Sequence, residues 1–366
     1  MLNSPLIKTH EDLMSAQKHY YKSNLTTSNY LALAALTLVF ILASDLFLIQ
    51  VKRKNYSKKL EASELALEAQ LTLRNENFDL IGEEISVITT DLGDSLSKQV
   101  STNPNFAAAF IEMFDEIGIK RGDTVSVAIT GSFPAINIAF YSACKVSGVH
   151  PIVITSVGAS QWGANKPDET WLDFEKFFNE KGVFPYKSVA ASIGGKSDIA
   201  RDLSEEGKNI LTNTIGRHET RFIRANSIVE SARERVTIFD SVSTNVKAFV
   251  NIGGGVSSLG VGNSKFISPG VNLDLFDVEF PKIGALTILA ERGLPIIHIS
   301  EIVDLEKRYG LKEENYIIPR VGKGEIFETI KYNLIYLAPF AILYWAILFF
   351  MLSKFRNAAI KKASGN

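Results

Sequence analysis

Residues Gly122–Glu175 read GDTVSVAITGSFPAINIAFYSACKVSGVHPIVITSVGASQWGANKPDETWLDFE, and the order of apolar and turn residues in this stretch decides the fold class. Val125–Ile129 is a short, β-branched apolar run, as expected of a strand covered on both faces. Thr130, Gly131 and Ser132 then make a turn. Pro134 suits the first turn of a helix, because its missing N–H has no partner to lose there. Ile136, Phe140 and Ala143 mark the apolar side of that helix, Gly148 ends it, and Pro151–Ile154 is the next strand. A strand–helix–strand unit of this kind aims backbone N–H groups from the turn and the helix start at the crevice beyond the strand ends. That geometry suits a carboxylate, a phosphate or a developing oxyanion, and the stretch alone does not choose among them.

The alternation continues outward. Ile85–Thr90, Ser188–Ile193, Lys247–Ile252 and Leu294–Ile299 read as strands. Asn105–Ile117, Trp171–Lys181, Asn226–Arg235, Ala285–Glu291 and Ile302–Tyr309 read as helices. Alternation at this spacing predicts an α/β domain with a mainly parallel, Rossmann-like sheet.

Two apolar runs set the chain's class. Tyr30–Val51 is long enough to span a bilayer with only Asp45 charged, and Leu334–Leu352 is uncharged and rich in Tyr, Trp and Phe. The predicted organisation is a polar tail over 1–29, a transmembrane helix over 30–51 and an amphipathic stalk helix over 52–77. An α/β domain over 78–331, a second transmembrane helix over 332–353 and a basic tail over 354–366 follow. In the stalk, Leu60, Leu67 and Leu71 share one helical face and Glu61, Glu64 and Glu68 another. Lysines follow the first span, but Lys8, Lys18, Lys22, Lys354, Arg356, Lys361 and Lys362 flank the short tails, where charge counts more. The tails are therefore expected in the cytoplasm and the domain outside it.

With 366 residues and a formal net charge of −1, the chain has ample length for a core and no global field for nucleic acid. The single cysteine, Cys144, excludes an intrachain disulfide and reads as a small buried apolar residue. Five scattered histidines and one cysteine offer no paired spacing for a metal. No cofactor is expected either: TGSFP lacks the lysine and spacing of a phosphate-binding P-loop, and NIGGGVSSLGVG has no acidic residue placed for a ribose.

The candidate site gathers around the two glycine turns and the Trp-bearing loop. Its expected members are Thr130, Gly131, Ser132 and Asn137 from the first turn, and Asn251, Gly253 and Gly254 from the second. Ser160, Trp162, Gly163, Asn165, Trp171 and Asp173 come from the loop, with Thr89, Thr90, Ser101, Asn103, Gly194 and Gly195 from flanking segments. Ser132 is the candidate nucleophile, although Thr130 and Pro134 stand where a nucleophile elbow has glycines, and a helix-capping hydroxyl is the plainer role. Trp162 and Trp171 are read as a binding wall or as anchors of their loop.

Several blocks resemble the poly-gamma-glutamate system protein family of bacteria. The resemblance is carried by IGEEISVITTDLG (Ile81–Gly93), STNPNFAAAF (Ser101–Phe110), GSFPAIN (Gly131–Asn137), GASQWGAN (Gly158–Asn165), TWLDFE (Thr170–Glu175), ASIGGKSDIA (Ala191–Ala200) and FVNIGGG (Phe249–Gly255). It implies an accessory component of the bacterial cytoplasmic (inner) membrane, serving capsule-type polyglutamate synthesis or export. The implied partners are the γ-glutamyl chain, the synthase's membrane subunits and the bilayer. On this reading, neutral Ser, Thr, Asn and backbone donors hold polymer carboxylates without Lys or Arg. The alternative is an amide hydrolase or acyl transferase on γ-glutamyl bonds with Ser132 as nucleophile.

Overall fold

The computed structural model describes residues 26–313 and 319–363, so most of the expected N-terminal tail and the last residues of the C-terminal tail lie outside the described residues. The described residues divide into two units, one up to Val51 together with those from Ile330 onward, and one within Lys52–Thr329.

In the first unit, helix Thr27–Ser44 and helix Leu334–Ala363 are apolar along most of their length. Segments Thr27–Phe47 and Leu334–Ala358 are long and apolar enough to cross a membrane. They meet through aromatic rings: Phe40 stacks on Phe340 at 5.1 Å and on Tyr344 at 4.3 Å, and the Thr37 and Tyr344 hydroxyls lie 3.0 Å apart. The expected span to Val51 is too long by one element. The helix stops at Ser44, a short 3-10 turn covers Asp45–Phe47, and Leu48–Lys52 is extended. Leu, Ile and Val serve a strand as readily as an apolar helix, so composition alone does not mark that boundary.

The strands in chain order are β1 (Leu48–Lys52), β2 (Thr89–Asp91), β3 (Thr124–Thr130), β4 (His150–Ser156), β5 (Ala159–Ser160), β6 (Ser188–Ser192), β7 (Arg221–Phe222), β8 (Val246–Ile252), β9 (Gly270–Asn272), β10 (Ile296–Ile299) and β11 (Glu328–Tyr332). The expected strand over Ile85–Thr90 is thus confined to its last two residues and Asp91. β1 pairs with β11 and β2 with β5, while seven strands form the central sheet in the order β7-β6-β4-β3-β8-β10-β9. Five of its six pairings are parallel and β9 runs antiparallel to β10, so the sheet is mixed. From β3 the chain adds β4, β6 and β7 on one side, then β8 and β10 on the other, so the direction of growth reverses between β3 and β8.

Both faces of the sheet are covered, which is why β3 carries apolar residues on both, with Ser126 buried among them and donating to the Ala248 carbonyl. Val125, Val127 and Ile129 point into a core shared with Phe110, Phe140 and Trp171, whereas Ala128 joins Ile154, Phe239 and Leu286 on the opposite face. Helix Pro134–Ser147 follows the sequence signals closely: Pro134 opens it, and Gly148 ends it in the left-handed conformation at φ +66°. Cys144 sits in that helix, fully buried.

Helix Tyr56–Asn75 is not a free-standing stalk. Ala62, Ala66, Ala69 and Leu73 are fully buried, and the helix packs on helices Phe106–Glu116 and Pro134–Ser147. Of the leucines used to orient it from sequence, Leu60 packs half-buried against the core, whereas Leu67 and Leu71 are exposed. Alanine lets helix backbones approach closely, so the smaller side chains mark the buried face here. Lys59 is buried with them, paired with Glu112 and donating to the Ile326 carbonyl at 3.0 Å. The two ends of this unit also meet, through Arg53 N–H to the Phe327 carbonyl at 2.8 Å.

Candidate functional site

The carboxyl ends of β3, β4 and β6 and the Gly-rich turn after β8 surround a polar cavity of about 560 Å³. Thr130 and Ser132 come from the end of β3, Ser156 from β4, Ser160 from β5, Gly195 from the turn after β6, and Gly254 and Gly255 from the turn after β8. Ligands of open α/β sheets collect at such a place, where strand order reverses and N–H groups at the strand ends face outward. Gly253 makes the β8 turn possible: its φ is +93°, and a Cβ there would lie 2.5 Å from Thr130 Oγ1.

Of the residues singled out from sequence, the structure brings Thr90, Thr130, Ser132, Ser160, Gly195 and Gly254 to this cavity. The others are placed in its supports or in the core. Gly131 and Gly163 are packed backbone to backbone, a Cβ on Gly163 coming within 2.8 Å of the Gly131 carbonyl oxygen. Asn137 is buried and donates to the Thr130 carbonyl at 3.0 Å, tying the helix to its strand. Asn165, also buried, ties the loop to residues 83–89 by donating to the Glu83 carbonyl at 2.8 Å and to Thr89 Oγ1 at 2.9 Å. Ser101 donates to the Lys98 carbonyl, and Asn103 donates to Glu306 and to the Leu311 carbonyl. Gly194 accepts from Ala200 N–H. Asn251 donates to the Gly253 carbonyl and accepts from Ser258 beneath the second glycine turn, with Gly253 itself forming the bend.

The tryptophan wall is corrected. Trp171 is fully buried in the main core and donates from Nε1 to Glu175 at 2.9 Å, so it is a packing residue. Trp162 acts through its backbone, its N–H donating to the Glu83 carbonyl at 2.8 Å. Asp173 closes the capping box with Thr170 and accepts from Arg217 at 2.7 Å, so its carboxylate is committed to the helix start. Glu175 is held by Tyr141, Trp171 and Ser188, and burial raises its pKa against those hydrogen bonds.

The neutral-donor picture is also corrected, because two lysines line the cavity. Lys98 belongs to helix Ser95–Ser101, and its side chain is buried at 2% exposure. Its Nζ donates to the Ser132 carbonyl and, at 2.8 Å, to Ser160 Oγ, and lies 3.9 Å from the centre of the Phe133 ring. Burial lowers this amine from its ordinary 10.5 to about 7, and the Asp94 carboxylate offsets only part of that effect. Lys196 is exposed and paired with Asp202 at 3.1 Å. Asp94 caps the helix that carries Lys98, accepting from Ser97 N–H at 2.8 Å. The sequence signal for this element was the Asp94 cap before SLSKQVS, which has no apolar periodicity to show that its lysine turns inward.

Behind the cavity, Arg235 and Asp198 form a buried pair at 3.1 Å that also binds Ser156 and Ser192. It fixes the ends of β4 and β6. Among the described residues no group of three or more His, Cys, Asp or Glu side chains is placed to hold a metal ion.

These features define an α/β protein with a hydroxyl-rich, lysine-bearing cavity at its strand ends and two apolar helices near its ends. Comparison of the chain with protein-family models, with curated proteins and with solved structures found no match.

Proposed function

We propose that this protein is a membrane-anchored component of poly-γ-glutamate assembly or export that holds the γ-glutamyl chain in the cavity at the strand ends. The observation that carries this reading is the buried Lys98 amine, presented among the hydroxyls of Ser132, Ser160 and Thr130 and the backbone of Gly254. A γ-glutamyl unit offers one carboxylate and one amide, and the cavity offers a cation, hydroxyl donors and acceptors, and peptide N–H groups at matching scale. The Asp91, Asp94 and Asp202 carboxylates around the same cavity disfavour a dense polyphosphate and leave room for a chain with one charge per unit. The doubly wound, Rossmann-like order about β3 supports ligand binding at this edge, and the two apolar helices support a two-pass anchor in the bilayer. On this reading the domain lies outside the cytoplasm of a bacterial cell, at the inner membrane, and the partners are the membrane subunits of the polymer's synthase.

The test is binding of a fluorescent γ-linked glutamate oligomer to the full-length protein in lipid nanodiscs, with an α-linked oligomer of equal charge as control. The γ-linked oligomer is expected to bind saturably and more tightly, with Lys98→Met weakening it about 10-fold at pH 6, where the amine is charged, the worth of one charge-assisted hydrogen bond. Equal binding of both oligomers, or none at millimolar concentration, refutes the reading.

A further inference from the structure

We infer that Ser160 and Lys98 form a serine–lysine catalytic pair that cleaves an amide bond of the chain held in the cavity. The substrate class rests on the polymer-binding reading above, whereas the pair itself rests on geometry.

Two observations single out Ser160 over Ser132 as the nucleophile, and both serines line the cavity. Lys98 Nζ lies 2.8 Å from Ser160 Oγ, within proton-transfer reach, while it meets Ser132 through the carbonyl oxygen and not the hydroxyl. Ser160 is fixed in β5 by pairing with β2, and its N–H donates to Ser132 Oγ at 3.1 Å, so Ser132 holds the nucleophile's backbone in place. Ser160 also lines the cavity, so its hydroxyl has the amine against it and open space for a carbonyl carbon. Lysine serves as base only when it is kept neutral, and a buried amine near pH 7 supplies that form without a histidine. The charged groups around it are Asp94 on its own helix and Asp91, Lys196 and Asp202 across the cavity. Of these, Asp94 holds the amine's pKa up against burial.

The chemistry balances with water as the only co-reactant. Ser160 Oγ attacks the amide carbonyl carbon, a C–O bond forms, the carbonyl electron pair moves to oxygen, and the hydroxyl proton passes to neutral Lys98 Nζ. Collapse of the adduct restores the carbonyl and breaks the C–N bond, and the Lys98 ammonium protonates the departing amine. Water then attacks the Ser160 ester and gives a proton to Lys98. The ester C–O bond breaks, and that proton returns to the Ser160 oxygen. Gly254 and Gly255 line the same cavity and carry backbone N–H groups of the kind an oxyanion needs.

The test is labelling of the full-length protein, in nanodiscs, by a fluorescent fluorophosphonate, with the adduct located by peptide mass mapping. The adduct is expected on Ser160 and absent from Ser160→Ala. Its rate should rise with pH through about 7 and level off above, as Lys98 loses its proton. Lys98→Met is expected to slow labelling at least 100-fold, the lower range for loss of a positioned base. The pH profile is read on the unaltered protein, so it stands even where a variant fails to fold. No adduct, an adduct on Ser132 that persists in Ser160→Ala, or a rate indifferent to pH between 5 and 9 overturns the pair. Oligomer binding measured on the same samples separates the two claims. Binding without labelling overturns the pair and leaves the polymer reading standing. Labelling of Ser160 without binding or cleavage of the γ-linked oligomer supports the pair and overturns the polymer as its substrate.

Discussion

Replacing Lys98 by methionine should make the α/β unit more stable at pH 6 and no more stable at pH 10. Lys98 is 2% exposed, and burial takes its amine from 10.5 to about 7. At 1.36 kcal/mol per pH unit, holding it charged inside the fold costs about 5 kcal/mol. Methionine removes that cost but leaves the Ser132 carbonyl and Ser160 hydroxyl without their donor, at about 1 kcal/mol each. The net gain at pH 6 is about 3 kcal/mol. The folded pKa is lowered, so between about 7 and 10.5 the unfolded chain binds the extra proton. Stability of the unaltered protein therefore rises as pH rises through that window and is flat below it. From pH 6 to pH 10 the unaltered protein should gain about 4 kcal/mol on the variant, enough to erase the variant's advantage. Urea unfolding of the full-length protein in detergent, followed by tryptophan fluorescence, measures the difference. A stability difference that does not change between pH 6 and 10 refutes the buried-amine argument. A variant that is more stable yet no longer labelled also rules out unfolding as the reason for lost labelling.

Asp198→Ala should destabilise the protein by about 3–5 kcal/mol in the same assay, because it leaves the 1%-exposed Arg235 guanidinium without a counter-charge. His298, buried and hydrogen-bonded to Asn251 at 3.0 Å, has its pKa lowered by burial to about 4. Below its ordinary 6.5 the unfolded chain binds the extra proton, so stability falls as pH drops toward 4. That acid-driven loss should be about 3 kcal/mol smaller in His298→Gln, read from unfolding curves at pH 7 and pH 4. Ala66→Leu should cost about 1–3 kcal/mol by overpacking the helix junction, whereas Leu67→Gln, one residue along on the exposed side, should stay within about 0.5 kcal/mol.

The strand–turn–helix–strand core was legible because each signal in it is local. β3 is rich in Val, Ile and Ala, Pro134 marks a helix start, and Gly148 takes the left-handed conformation at its end. The orientation of helix Tyr56–Asn75 was not legible, since leucine outweighs alanine in any periodicity count while close helix packing selects alanine. Lys98 escaped for a related reason. Nothing in SLSKQVS predicts burial, and the residues that enclose its amine come from Ser132, Phe133 and Ser160, distant in sequence. Trp171 misled in the opposite sense: beside a loop of Gly and Asn a large ring suggests a ligand wall, yet it opens a helix and meets Glu175 one turn on. That the two glycine turns meet at one cavity is not encoded locally. Their meeting depends on β8 inserting next to β3, a pairing between segments over a hundred residues apart that short-range patterns do not encode.

The bond between Arg53 N–H and the Phe327 carbonyl gives the α/β unit the form of a closed loop, its first and last residues side by side. During synthesis the helix at Tyr56–Asn75 emerges early, with its alanine face bare, and must wait for nearly the whole unit before the ring can shut. The same closure makes the unit portable. Cut at Arg53 and Phe327 and joined by a short peptide, it becomes a circle that can be reopened at an exposed turn, such as the one at Lys181–Gly182, to yield a permuted protein with its cavity intact.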